Sequence, residues 1–136
     1  MSFSVVVEPI GANKAPPAFA NDAEEDAWFE RQWATWLYDA PVAADGTWFE
    51  FWHLPAIRLH LPMLSGVYRK GLVISRQDEL QALQAELDAL EDAWQMLLRA
   101  NASEQMARHT KLCERMGDVR DAIRIALEHG AQLSIS

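Results

Sequence analysis

Two groups of side chains in this sequence lie close enough to suggest chemistry. The first is Glu50, His53 and His60, which surround Pro55. A metal ion needs several imidazole, thiolate or carboxylate ligands at compatible spacing. Glu50 and His60 would meet that need if they projected from neighbouring strands. His53 would sit at a strand end, where nothing fixes its direction. Surface or edge histidines are the simpler expectation, and no metal site is assigned. The second group is His109 and Cys113, four residues apart and so on one face of a helix. A nucleophilic cysteine needs a lowered pKa, from a helix N-terminus or a cationic pocket. Mid-helix and beside an apolar stripe, Cys113 reads as an inert buried thiol. The 20 carboxylates are too numerous for any pair to stand out as an acid and base.

The usual catalytic signatures are missing. There is no GxGxxG and no GxxxxGK[ST] to cradle phosphates, no GxSxG elbow and no HExxH. No catalytic residue and no cofactor is expected, and the balance leans away from an enzyme.

Binding is better supported. The formal net charge is −8, with a pI near 4.9. Phosphate backbones demand Lys and Arg, so nucleic acid is not an expected partner. A basic protein is compatible with this charge, although solubility alone also accounts for it. Six tryptophans are many for 136 residues. Trp is enriched at binding hot spots and is equally a large core residue. The single cysteine excludes an internal disulfide and suits a reducing compartment. The stretch MSFSVVVEPIG lacks the basic region of a signal peptide, and no apolar run approaches a membrane span. The cytoplasm, with no membrane partner, is the expected location.

The elements that would position these residues follow from pattern. Residues 3–8 are β-branched and read as a strand, and residues 9–20 carry three prolines and a glycine and read as a loop. Asn21 or Asp22 caps a helix predicted near 22–39. Glu24, Glu25 and Asp26 fall in its first turn, where the dipole favours negative charge. Phe29, Trp33, Trp36, Leu37 and Ala40 form its apolar stripe, and Pro41 closes it. After the Asp45-Gly46 turn, residues 47–52 read as a strand, with Trp48, Glu50 and Trp52 on one face and Phe49 and Phe51 on the other. Residues 56–61 alternate, so that Ile57, Leu59 and Leu61 point inward and Arg58 and His60 outward. Residues 71–74 either add a short strand or lead into the next helix.

The second half is more regular. Ser75 and Asp78 form a capping-box pattern ahead of a helix over 76–100. Leu80, Leu83, Leu87, Leu90, Trp94 and Leu97 give this helix a narrow seam. Asn101-Ala-Ser103 breaks the chain before a return helix over 104–129, striped by Leu112, Met116, Val119, Ile123 and Leu127. Gly130 suits a left-handed cap, and residues 132–135 read as a closing strand. Six acids and no base lie between Asp78 and Asp92, while the return helix carries Arg108, Lys111, Arg115, Arg120 and Arg124. Two such helices would attract each other. The whole predicts a single α+β domain over 1–136: an antiparallel sheet with one helix near 22–39 and a long C-terminal helical hairpin.

Small size, acidity, a Trp-rich first half and the missing catalytic signatures together predict a protein-binding module. Bacterial immunity proteins, which neutralise a cognate toxin, share these traits. That comparison is one of type, and no motif carries it. The expected contacts are Glu24, Glu25, Asp26, Trp48, Glu50, Trp52, Arg58 and His60, facing a basic protein. Two alternatives stand beside this reading. One is a small enzyme or ligand-binding domain with a pocket near Trp52, His53 and His60. The other is a homodimer built on the Leu80–Leu97 seam.

Overall fold

The structure is a computed structural model that describes residues 2–11, 16–100 and 106–136. Strand β1 (Ser2–Glu8) sends Phe3, Val5 and Val7 into the core, as its alternation predicts. Helix α1 (Asp22–Trp33) begins where expected. The Asn21 side chain accepts from the Glu24 N–H at 2.9 Å, and the Glu24 carboxylate accepts from the Ala20 N–H at 2.9 Å.

The helix stops six residues before its predicted end. Residues Tyr38–Ala44 form strand β2, directing Ala40 and Val42 inward. Pro41 had suggested a helix terminus. It is instead tolerated because β2 is an edge strand, where a missing N–H costs no ladder bond.

The strands expected at 47–52 and 56–61 are both helical. Helix α2 (Asp45–Thr47), a π-helical turn (Trp48–His53) and helix α3 (Leu54–Arg58) run on as one rod. Its buried residues are Trp48, Trp52, Pro55 and Ala56, a helical stripe at i, i+4, i+7 and i+8. Trp48 and Trp52 stack at 4.9 Å with planes 7° apart; Phe3 stacks on Trp48 at 4.8 Å, and Trp94 meets Trp52 edge-on at 5.0 Å. The alternation of Ile57, Leu59 and Leu61 was coincidental. Ile57 is 50% and Leu59 40% exposed, and only Leu61 is buried. The π-helical turn has a covalent cause. Pro55 has no N–H for the Phe51 carbonyl four residues back, and its ring crowds that carbonyl.

Pro62 opens the next helix. It stands at the start of α4 (Pro62–Lys70), where its missing N–H has no consequence. Leu61 gives no side-chain cap. The buried Glu86 carboxylate does so from a distance, accepting from Met63 N–H at 3.1 and 3.2 Å and Leu64 N–H at 3.0 Å. Gly71 ends α4 at φ 69°, and a Cβ there would meet the Ile135 carbonyl at 3.1 Å.

Strand β3 (Leu72–Ile74), helix α5 (Gln77–Ala100), helix α6 (Met106–His129) and strand β4 (Gln132–Ile135) follow as expected. Residues 101–105, with the predicted break at 101–103, lie outside the described residues. The four strands pair antiparallel in the order β2-β1-β4-β3, so the fold is α+β with a C-terminal helical hairpin. The α5 seam is covered within the chain, by α6 and by the preceding short helices. Leu80, Leu83, Leu87, Leu90 and Trp94 are buried, and only Leu97, 48% exposed, escapes. Arg120 of α6 clamps α5, reaching Asp88 at 2.6 Å and Glu91 at 2.5 Å. Burial opposes its charge, but hydrogen bonds to these two carboxylates outweigh that and raise its pKa.

Candidate functional site

The eight expected contact residues do not form one surface. Trp48 and Trp52 are wholly buried within the aromatic core, which removes them as partner anchors. Arg58 and His60 are exposed at the end of α3 and just beyond it, with His60 at φ 55°. Glu50 is exposed on the π-helical turn, and Glu24, Glu25 and Asp26 are exposed on α1. The Glu50–His53–His60 group is not assembled either. His53 packs instead against Phe49 at 5.5 Å and Tyr68 at 5.0 Å. No three metal-ligating side chains converge among the described residues. Of the residues expected to line a pocket there, Trp52 is wholly buried, His53 half-buried and His60 exposed. Cys113 does approach His109, at 3.6 and 3.9 Å, but burial and, secondarily, Glu91 push its thiol pKa up, away from reactivity.

Several concave surfaces form among the described residues, and two of them present aromatic rings, or cations without a close carboxylate. The first is built by α1 and the turn that follows it. Helix α1 buries none of its residues. Its rings hold one another and Phe19 of the preceding loop: Phe19 lies 5.8 Å from Trp28, Trp28 meets Phe29 edge-on at 5.0 Å, and Phe29 lies 6.0 Å from Trp33. Tight backbone bonds from Thr35 to Gln32 and from Trp36 to Trp33, each 3.1 Å, wind the helix down. The Leu37 N–H then joins the Val7 carbonyl at 2.7 Å. This sequence of bonds turns Trp33, Trp36, Leu37, Tyr38 and Asp39 around an open cleft of about 560 Å³. Trp33 is 54% exposed, and Asp39 is exposed beside the rings. Burial first, then Asp118 and Asp121, push the Tyr38 phenol pKa up, so it stays neutral. Aromatic faces next to a carboxylate suit a cationic side chain with an aliphatic stem.

The second surface is a groove of about 650 Å³ between α6 and the edge formed by β2 and the π-helical turn. Arg108, Lys111 and Arg115 line it, facing Val42 and Phe51, with Glu50 as its one acid. The Arg108 guanidinium lies 5.5 Å from the Phe51 ring centre. Arg115 reaches the Pro41 carbonyl at 3.4 Å and Asp118 at 3.6 Å.

Sequence reasoning missed both. Trp33, Trp36 and Leu37 had the spacing of a core stripe, and the helix end that exposes them was unmarked. The bases at 108, 111 and 115 share a helical face by spacing alone, but they were read as counterions for the acids of α5. Only Arg120 plays that part among the described residues. No known protein family, no curated protein and no solved structure matches the chain, so its function must be argued from these two surfaces.

Proposed function

We propose that the chain is a protein-binding module that captures a basic protein through α1 and the aromatic cleft beneath it. The observation that carries this reading is the cleft of Trp33, Trp36, Leu37, Tyr38 and Asp39. Trp33 is left exposed there and Trp36 and Tyr38 half-buried, in a chain that buries Trp48, Trp52 and Trp94. Trp and Tyr are the side chains that most often dominate binding energy at interfaces. Asp22, Glu24, Glu25, Asp26 and Glu30 are exposed along the helix leading to the cleft, against the single base Arg31. This charge would speed the approach of a basic partner, and the cleft would hold one of its Lys or Arg side chains. In its concrete form the reading is of an immunity-type protein, which neutralises a cognate toxin in the cytoplasm. The acidity, the small size and the lone Cys113 support that form.

The test is a tagged pull-down from the source cells at low and moderate salt, run in parallel with a Trp33→Ala/Asp39→Asn variant. One stoichiometric basic protein, retained by the wild type, weakened by salt and lost from the variant, is the expected result. Co-expression then asks whether that protein arrests growth alone and not beside this chain. Equal retention by the variant would overturn the proposed surface, and a partner harmless when expressed alone would overturn the immunity role. No described helix is long and apolar enough to cross a membrane.

A further inference from the structure

We infer that the groove between α6 and β2 binds a small organic polyanion, one carrying two or more phosphate or carboxylate groups on an apolar or planar body. The first argument is charge. Arg108, Lys111 and Arg115 stand at i, i+3 and i+7, so α6 presents them on one face. They gather in one groove of a chain whose net charge is −8. Three arginines outside the groove are held by carboxylates: Arg76 by Asp78, Arg120 by Asp88 and Glu91, Arg124 by Glu128. Arg108 and Lys111 have no carboxylate partner among the described residues, and that of Arg115 lies at a long 3.6 Å.

The second argument is preorganisation. The Arg108 guanidinium carbon lies over the Phe51 ring, which holds the group at the groove with N–H donors free to grip an oxyanion. The Pro41 carbonyl tethers Arg115. Lys111, exposed and on a flexible stem, is placed between the two to close on a bound anion. The third argument is shape. The groove has the size of small-molecule sites, which run from roughly 300 to 1,000 Å³. Val42, Leu112 and half-buried Phe51 give it an apolar floor, and Thr47 and Glu50 stand on its wall to meet a ligand hydroxyl or amino group. A long polyanion such as nucleic acid would extend past the three cations into the field of the surrounding acids. A compact one would not.

The experiment is a titration of the ¹⁵N-labelled chain at low salt with pyrophosphate, citrate and ATP as separate probes, followed by amide shifts. Pyrophosphate against citrate separates phosphate from carboxylate chemistry, and ATP adds the planar body. Saturable shifts confined to residues 41–51 and 108–115, with a dissociation constant below about 1 mM for at least one probe, are expected. Lys111→Glu and Arg108→Gln should each weaken that binding by about tenfold or more, with the rest of the spectrum unchanged. Shifts that fail to saturate at millimolar concentrations of all three probes would overturn the inference, as would equal affinity in the Lys111→Glu variant. Tighter binding of an oligoglutamate peptide than of any probe would overturn it too, because the groove would then be a protein-docking surface. None of these variants touches the α1 cleft, so the two readings stand or fall separately.

Discussion

The indole N–H of Trp94 donates to the carbonyl of Phe51 at 2.7 Å. It supplies the partner that Pro55 cannot, because a regular helix would pair that carbonyl with the N–H of residue 55. Trp94→Phe keeps a ring in place and removes the donor. It is expected to cost about 1–3 kcal/mol in urea unfolding. Pro55→Ala restores a backbone N–H within reach of the same carbonyl. The double variant should therefore be more stable than the sum of the single effects by about 1 kcal/mol. Strict additivity in the cycle would show that Pro55 and Trp94 are not coupled through Phe51.

Glu86 holds the first turn of α4 from another helix, through Met63 and Leu64. Glu86→Ala leaves the buried Leu64 N–H and the half-buried Met63 N–H without an acceptor, and a loss of about 2–3 kcal/mol is expected. Glu86→Gln keeps one acceptor oxygen and should lose about half as much. Chemical denaturation of the two variants checks the order. Equal losses would mean that packing, and not the cap, is what Glu86 contributes.

Cys113 has a raised thiol pKa, from burial and then from Glu91. At neutral pH it should react with iodoacetamide more slowly than a free thiol, whose pKa is about 8.5. The native chain holds the thiol proton more tightly than the unfolded chain does. This contribution to stability is therefore complete below the ordinary thiol pKa and is lost as the pH rises through the folded value. Cys113→Ala should flatten the alkaline decline of stability. Alkylation at the free-thiol rate would contradict the assignment.

Helix α1 buries no residue, whereas Val5 and Val7 of β1 are wholly buried. Hydrogen exchange should release the α1 amides far earlier than those of β1 and β4, because α1 can open without unfolding the sheet. Acrylamide should quench Trp33 readily and leave Trp48, Trp52 and Trp94 dark to it. Coincident exchange of α1 and β1 would show that the helix is cooperatively bound to the rest of the chain.

The sequence was legible where one physical signal dominated. The α5 seam, the Gly130 cap and the β4 alternation each admit one reading, and each is found in place. It misled where short apolar runs suit two periods. Trp48, Phe49, Phe51 and Trp52 alternate well enough for a strand, yet stacking of Trp48 on Trp52 requires a helical turn. Pro41 and Pro62 carry one covalent restriction with opposite consequences, a strand edge for one and a helix start for the other. Only tertiary position decides between these. The candidate surfaces were harder still. The acids of α1 were legible as exposed helix chemistry, but the cleft depends on where α1 stops, and the groove depends on which helix face meets β2.

Strand β1 lies between β2 and β4, and its Val5 pairs with Ile135. During synthesis, therefore, the inner edge of β1 waits for a partner encoded at the far end of this sequence. At about 5–20 residues per second the ribosome needs on the order of ten seconds to deliver it. Through that interval the nascent chain can wind its long helices and close β1 on β2, but it cannot complete its sheet. A young chain thus carries an open, β-branched edge, the kind of surface that chaperones guard and aggregates exploit.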